Sequence, residues 1–266
     1  MEKIGLIAGN GKFPLFFAQE AKRKKKGVIA IAFKEETSKE LSRYVDEIHW
    51  ISVGELQKLI DILVKAGLKR VVMAGQVNLS LLFSKIKMDK EAQKLLKEVE
   101  NKTTDTLLGK VAEKLAQRNI TLISSATYLN DFLTERGILT RREPTSKEWE
   151  DIEFGKKIAK EIAGLDIGQT VIVKDKTVLA IEAIEGTDEA VKRAVRFGKE
   201  GVVVVKVSKP NQDMRFDLPV IGIRTIELLH QLKVKILAIE EKKTLVLEKE
   251  KIVKLADNWG ICIVVF

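Results

Sequence analysis

KIGLIAGNGKFPLFFAQEAKR, residues Lys3 to Arg23, decides how the rest of the chain is read. An apolar run from Ile4 to Ala8 leads into Gly9-Asn10-Gly11, then Pro14 and apolar residues at helical spacing, which predicts a strand, a glycine turn and a helix. Glycines let backbone N–H groups come close to a phosphate, and the start of the following helix carries partial positive charge. Gly9, Asn10, Gly11 and Lys12 are therefore candidate substrate-binding residues. Pro14 occupies the place of the third glycine of a dinucleotide fingerprint, which argues against an NAD site. A tight strand-to-helix turn that holds no ligand is the competing reading.

Working outward, the basic run Lys22 to Lys26 is expected to close the first helix at Gly27, its charge complementing the carbonyl end of the helix. Strands are expected at Val28 to Phe33 and Ile48 to Val53. An amphipathic helix from Gly54 to Lys65 then leads to the strand RVVMAG. Strands alternating with helices over short connections predict a parallel sheet covered on both faces. Gly75 and Gln76 fall at the C-terminal end of a strand, where open α/β sheets bind ligands, and join the substrate-binding candidates. Leu79 to Met88 mixes apolar residues with Lys85 and Lys87; with the Lys22 cluster it is a candidate membrane contact, against the alternative of core closure. Helices are expected at Asp89 to Glu100 and at Thr104 to Gln117, the latter capped by Thr103 or Thr104, followed by the strand ITLIS. Thr134 to Trp149 has little periodicity and reads as a junction. The fold class expected is α/β, with a Rossmann-like parallel-sheet domain over residues 1–135 and a second α/β domain with a mixed sheet over residues 136–266.

In the second half, a helix from Asp151 to Ala163 precedes two strands flanking Asp175-Lys176, and a further helix follows Gly186 with Thr187 or Asp188 as its cap. Glu182 interrupts an apolar run, and Glu185 and Asp188 arrive at the same strand end; a buried carboxylate is costly unless paired or bound to a cation. The strand GVVVVKVS then delivers KVSKPNQDMRFDLPVIGIR, residues Lys206 to Arg224. Asp213 and Asp217 lie four apart with Arg215 between them and Lys209 just before Pro210. That inventory suits a hard divalent cation with phosphate oxygens, because Mg²⁺ takes one or two carboxylates together with substrate phosphate. A charged surface loop with an internal ion pair is the alternative. Asp213, Asp217, Lys209 and Arg215 are the catalytic candidates, Gln212 and Thr187 further substrate-binding candidates, and Asp213, Asp217, Glu182, Glu185 and Asp188 the metal candidates.

Composition bounds the partners. The chain has 266 residues, 45% of them hydrophobic, enough for a substantial core, and a formal charge of +9 that favours anionic partners. The basic residues are interspersed with acidic ones and no nucleic-acid motif appears, so no nucleic-acid partner is expected. Cys262 is the single cysteine, no secretory leader is evident, and no apolar run has the length of a membrane span, so a soluble cytoplasmic protein is expected.

Three stretches, GLIAGNGKFP, LDIGQTVIVKDKTVLAIEAIEGTDEA and KVSKPNQDMRFDLPVIGIRTIE, resemble the LpxI family of UDP-2,3-diacylglucosamine pyrophosphatases. The resemblance spans nearly the whole chain. It implies Mg²⁺-dependent hydrolysis of a lipid-linked UDP-sugar to UMP and 2,3-diacylglucosamine 1-phosphate in lipid A synthesis, with water attacking the uridine-side phosphorus. It also implies a homodimer acting at the cytoplasmic face of the inner membrane, with substrate held between two domains. After Gly75-Gln76-Val77 this chain has Asn78 where the family has a basic residue.

Overall fold

The computed structural model describes residues 2–77, 87–100, 103–210, 212–216 and 218–266. The chain forms two compact units: Met1–Asn130 with Asp213–Asp217, and Asp131–Gln212 with Leu218–Phe266.

The first unit is built on β1 (Lys3–Ala8), α1 (Phe13–Arg23), β2 (Gly27–Phe33), β3 (Glu47–Ile51), α2 (Leu56–Lys65), β4 (Arg70–Ala74), α3 (Lys90–Glu98), α4 (Thr104–Ala116) and β5 (Thr121–Leu122). Its strands pair in the order β3-β2-β1-β4-β5, all parallel, as the alternation of elements predicts. Strands covered on both faces read as continuous apolar runs, and β2 is buried at every residue. The pleat sends alternate side chains to opposite faces. Ile7, Ile29, Ile31 and Val71 form one core with α2, α3 and α4, while α1 packs on β1, β2 and β4.

Local chemistry moved some boundaries. The first helix stops at Arg23, and the left-handed residue is Lys25 (φ 57°), whose neighbour Lys26 donates its N–H back to Ala21 O at 2.9 Å. Gly27 is therefore the first residue of β2, not a helix cap. Thr103 caps α4, its hydroxyl accepting from Thr106 N at 3.3 Å.

The second unit runs β6 (Gly137–Ile138), α5 (Ser146–Gly164), β7 (Thr170–Lys174), β8 (Thr177–Ile181), α6 (Thr187–Gly198), β9 (Val203–Lys206), β10 (Val220–Ile221), α7 (Ile223–Gln231), β11 (Ile236–Ile239), β12 (Leu245–Val246), α8 (Lys249–Trp259) and β13 (Cys262–Val265). Six of these strands form a mixed sheet in the order β6-β13-β11-β9-β7-β8. Pairs β13-β11 and β11-β9 are parallel, and the remaining pairs are antiparallel. One face packs on α5 through Ile152, Ala159 and Ala163; the other packs on α6, α7 and α8 through Ala190, Ile226 and Ile252.

Helix α5 begins inside the expected junction, because Thr145 and Glu148 make a reciprocal capping box that carries the helix back beyond Asp151. Asp151 is itself buried, at 3% exposure, and ties down the β7–β8 turn by accepting from Asp175 N (3.0 Å) and Lys176 N (2.6 Å). Among the described residues no helix is long and apolar enough to cross a membrane.

Candidate functional site

In the first unit the strand order reverses direction at β1 and β4: successive strands follow on one side of β1, and β5 lies beyond β4 on the other. The crevice at the carboxyl ends of such a pair is the ligand edge of an open α/β sheet. Gly9, Asn10, Gly75 and Gln76 all stand there. Gly9 N donates to Ala74 O (2.8 Å), Asn10 N to Gln76 O (2.6 Å) and Gln76 N to Asn10 O (3.3 Å), so the two loops are zipped together. The glycines permit this approach: a Cβ on Gly9 would lie 2.4 Å from Gln76 O, and one on Gly75 2.4 Å from Asn10 O. Gly11 N donates to Asn10 Oδ1 at 2.6 Å. These four N–H groups thus have acceptors within the protein, and the loops turn the exposed side chains of Asn10, Lys12 and Gln76 outward.

The same edge receives a segment from far along the chain. Phe216, at 4% exposure, enters the core that holds Ile7, Val71 and Leu107. Ser125, at 1% exposure, donates its N–H to Met214 O at 2.7 Å. The Ser125 hydroxyl lies 2.8 Å from Met73 O, on β4, and 2.7 Å from Arg215 O. Between these anchors Asp213 accepts from Arg215 N (3.0 Å), Nε (2.9 Å) and Nη2 (2.5 Å), a bidentate pair reinforced by a backbone bond. The Arg215 guanidinium holds the Asp213 carboxyl below its ordinary pKa and is itself pushed further up. The result at neutral pH is a fixed carboxylate beside a fixed guanidinium. Asp217 lies outside the described residues, as do Asn78 and most of the Leu79 to Met88 segment. The Lys22 cluster falls where α1 ends and β2 begins, at the opposite edge of the sheet from the glycine loops.

The remaining candidates belong to the second unit. Lys209 is paired with Asp166 (2.5 Å), and its N–H donates to Gln212 Oε1 (3.0 Å). The loop that carries it is held by Glu240, which accepts from Ser208 N and Ser208 Oγ (both 2.8 Å) and from Lys160 Nζ (2.6 Å). Thr187 is the first residue of α6 and not its cap; Gly186 holds the cap position, and the Thr187 hydroxyl donates to Glu182 at 2.6 Å. Lys206, at the end of β9, completes the group, 3.7 Å from Glu182 and donating to Thr170 Oγ1 (3.1 Å) and Thr187 Oγ1 (3.0 Å). Burial opposes the charge on Glu182, yet Lys206, Thr170 and Thr187 bring its pKa below the ordinary value. Glu185 pairs with Arg193 (2.6 Å) and Asp188 with Arg224 (3.4 Å). Among the described residues no three His, Cys, Asp or Glu side chains gather to hold a metal ion.

Glu240 provides a pH test of this architecture. Burial raises its pKa, but Lys160 and Ser208 outweigh that and bring it below the ordinary 4.5. A depressed folded-state value means stability that is present above 4.5 and lost as pH falls through the folded value. Glu240→Gln should lower stability at neutral pH by about 1–3 kcal/mol, the worth of charged hydrogen bonds. The difference from wild type should shrink on acidification below that window. Urea midpoints that differ by the same amount at every pH would refute the assignment.

A Rossmann-like parallel unit with glycine loops and a carboxylate–guanidinium pair at its switch-point edge, joined in one chain to a mixed α/β unit, defines an α/β protein with a candidate ligand edge. The chain belongs to the LpxI family: the LpxI N-terminal domain matches residues 3–132 and the LpxI C-terminal domain residues 135–264. The family reading of the three sequence motifs is borne out. UDP-2,3-diacylglucosamine pyrophosphatase LpxI of Caulobacter vibrioides is 29% identical over 272 residues, covering 98% of this chain and 96% of that protein. Among solved structures, the biotin carboxylase subunit of pyruvate carboxylase is 14% identical, with a TM-score of 0.31 over 74% of this chain and 40% of that one. The biotin carboxylase domain of the 2-oxoglutarate carboxylase of Hydrogenobacter thermophilus is 15% identical, with a TM-score of 0.31 over 77% and 44%. The chain spans less than half of either structure, and likeness of that degree carries no functional argument.

Proposed function

We propose that this chain hydrolyses the pyrophosphate bond of UDP-2,3-diacylglucosamine, giving UMP and 2,3-diacylglucosamine 1-phosphate in lipid A synthesis. The observation that carries the reading is the match of both LpxI domains along the chain, with a relative of that activity aligned over 98% of it. Water forms a new bond to the uridine-side phosphorus, the bridging P–O bond breaks, and the bridging oxygen leaves with the lipid phosphate.

Charge repulsion between a pyrophosphate and its nucleophile is the obstacle that the residues must lower. Asp213 is an ionised carboxylate held in one orientation, suited to positioning water or a cation. Arg215 offers guanidinium donors to phosphate oxygens beside it, and Lys209, paired with Asp166, is the cationic candidate of the second unit taken by itself. Asn10, Lys12 and Gln76 line the loops where the nucleotide is assigned. Mg²⁺ needs only one or two protein carboxylates when phosphate oxygens supply further ligands, so the described donor set fits an ion that enters with the substrate better than a resident cage. Asp213 and Asp217 would hold it, and the ion would neutralise phosphoryl oxygens. The metal candidates of the second unit, Glu182, Glu185 and Asp188, each already face a cationic side chain there. Homodimer formation and peripheral contact with the cytoplasmic face of the membrane belong to the same reading.

The test is product analysis with UDP-2,3-diacylglucosamine, with and without Mg²⁺, in ¹⁸O-labelled water. Metal-dependent UMP carrying the label is the expected result. Label in the lipid phosphate would move the attack to the other phosphorus, and tight binding without product would make the chain a UDP-sugar sensor.

A further inference from the structure

Ser125 has no part in the motifs that carry the family resemblance, yet it is where the Asp213 segment is fastened to the first unit. Three backbone carbonyls converge on it. Its N–H reaches Met214 O (2.7 Å), and its hydroxyl lies between Met73 O (2.8 Å) and Arg215 O (2.7 Å). Met73 belongs to β4, whose next residues are Ala74 and the Gly75 loop. A single side chain thus joins the strand that carries one glycine loop to the backbone of the arginine that grips Asp213. Ser125 itself is 1% exposed, and its one O–H serves the Met73 and Arg215 carbonyls that flank it, so removing the hydroxyl takes the donor from two part-buried acceptors at once.

We infer that Ser125 is a positioning residue for the reaction, fixing the Asp213–Arg215 pair relative to the glycine loops of the same unit. The inference rests on the proposed role of Asp213. Phe216 packs its ring into the core, and its N–H closes the turn onto Asp213 O (3.2 Å), a bond within the segment itself. The Ser125 contacts fall on the backbone of Met214, between the two members of the pair, and of Arg215 itself, and so set its orientation.

Two variants test this against a control. Ser125→Ala removes the donor, and Ser125→Cys keeps the volume with a weaker one. Asp89→Ala is the control: it removes the cap of α3 in the same unit, where Asp89 accepts from Ala92 N (2.8 Å) and Gln57 N (2.7 Å). Ser125→Ala should lower kcat about ten- to a hundredfold with KM nearly unchanged, the cost of a misplaced reacting group. Ser125→Cys should fall between it and wild type, and Asp89→Ala should lose melting temperature without that loss of kcat. Rates that follow melting temperature alike in all three, or wild-type kcat in Ser125→Ala, would overturn the inference. If the wild-type protein releases no UMP, the functional reading fails separately. Positioning is then read from hydrogen exchange at the Phe216 amide, which donates to Asp213 O at 3.2 Å. Faster exchange there in Ser125→Ala supports the role, and unchanged exchange removes it.

Discussion

Asp213→Asn should lower kcat by about 10²–10⁴-fold, the range for losing a group that acts on proton transfer or its positioning, while the protein stays folded. Two observations separate rate from stability here. The segment is anchored by Phe216 in the core and by Ser125, neither of which depends on the carboxylate. The carboxylate itself is partly exposed, so Asn leaves no buried charge, and Arg215, 43% exposed at its side chain, turns to water. A structural ion pair of that exposure is worth little. If Asp213 did no more than hold Arg215, the substitution would leave kcat within a few-fold of wild type, and that result would return the segment to a charged surface loop. The pH profile adds a second reading. The carboxyl titrates below its ordinary 3.8, so the pair persists above that value and is lost only as pH falls through the lower folded one. An acid limb of kcat near neutrality therefore belongs to another group. Asp217→Asn, expected from the sequence motif to cost orders of magnitude in turnover, is the companion measurement.

Much of this arrangement was legible because burial on both faces writes itself into the sequence. The apolar runs of β1, β2, β4 and β9 have no polar face to alternate with, so strand, glycine turn and helix could be read in order. Other features depend on partners that local pattern does not reveal. Glu182 drew attention as a carboxylate in an apolar run, but its cation is Lys206: Thr170 pairs with Lys206 across the sheet, and Glu182 N donates to Thr170 O. A metal-ligand reading and an ion-pair reading of that glutamate look the same until the register of β7 is known. Ser125 sits in a run of small residues with no charge or spacing to mark it. Its importance comes from carbonyls 52 and 90 residues away. Membership of residues 213–217 in the first unit is likewise a product of Phe216 packing, and chain order alone assigns them to the second half.

The glycines separate two physical demands that the sequence presents as one motif. Gly11 and Gly75 both have left-handed backbones, with φ of 87° and 86°. A Cβ on Gly11 would meet nothing within 4 Å, whereas one on Gly75 would lie 2.4 Å from Asn10 O, 2.9 Å from Gly9 C and 3.0 Å from Pro14 Cγ. Gly11→Ala should therefore cost only the backbone penalty, about 1–2 kcal/mol. Gly75→Ala carries the same penalty and must also break the Asn10–Gln76 bridge, bringing the loss to about 2–4 kcal/mol with hydrogen bonds near 1 kcal/mol each. The larger contrast is expected in function. Opening the bridge displaces both loops at the switch point, so Gly75→Ala should lower kcat/KM for the UDP-lipid well beyond what its melting temperature explains. Gly11→Val, which leaves the bridge intact but projects a branched side chain from the exposed turn, should weaken UDP-sugar binding more than stability. Chemical denaturation and steady-state kinetics on the three variants distinguish these effects. Equal losses of stability in Gly11→Ala and Gly75→Ala would show that backbone conformation alone sets the need for glycine. Unchanged UDP-sugar affinity in Gly11→Val would take the turn out of the binding surface.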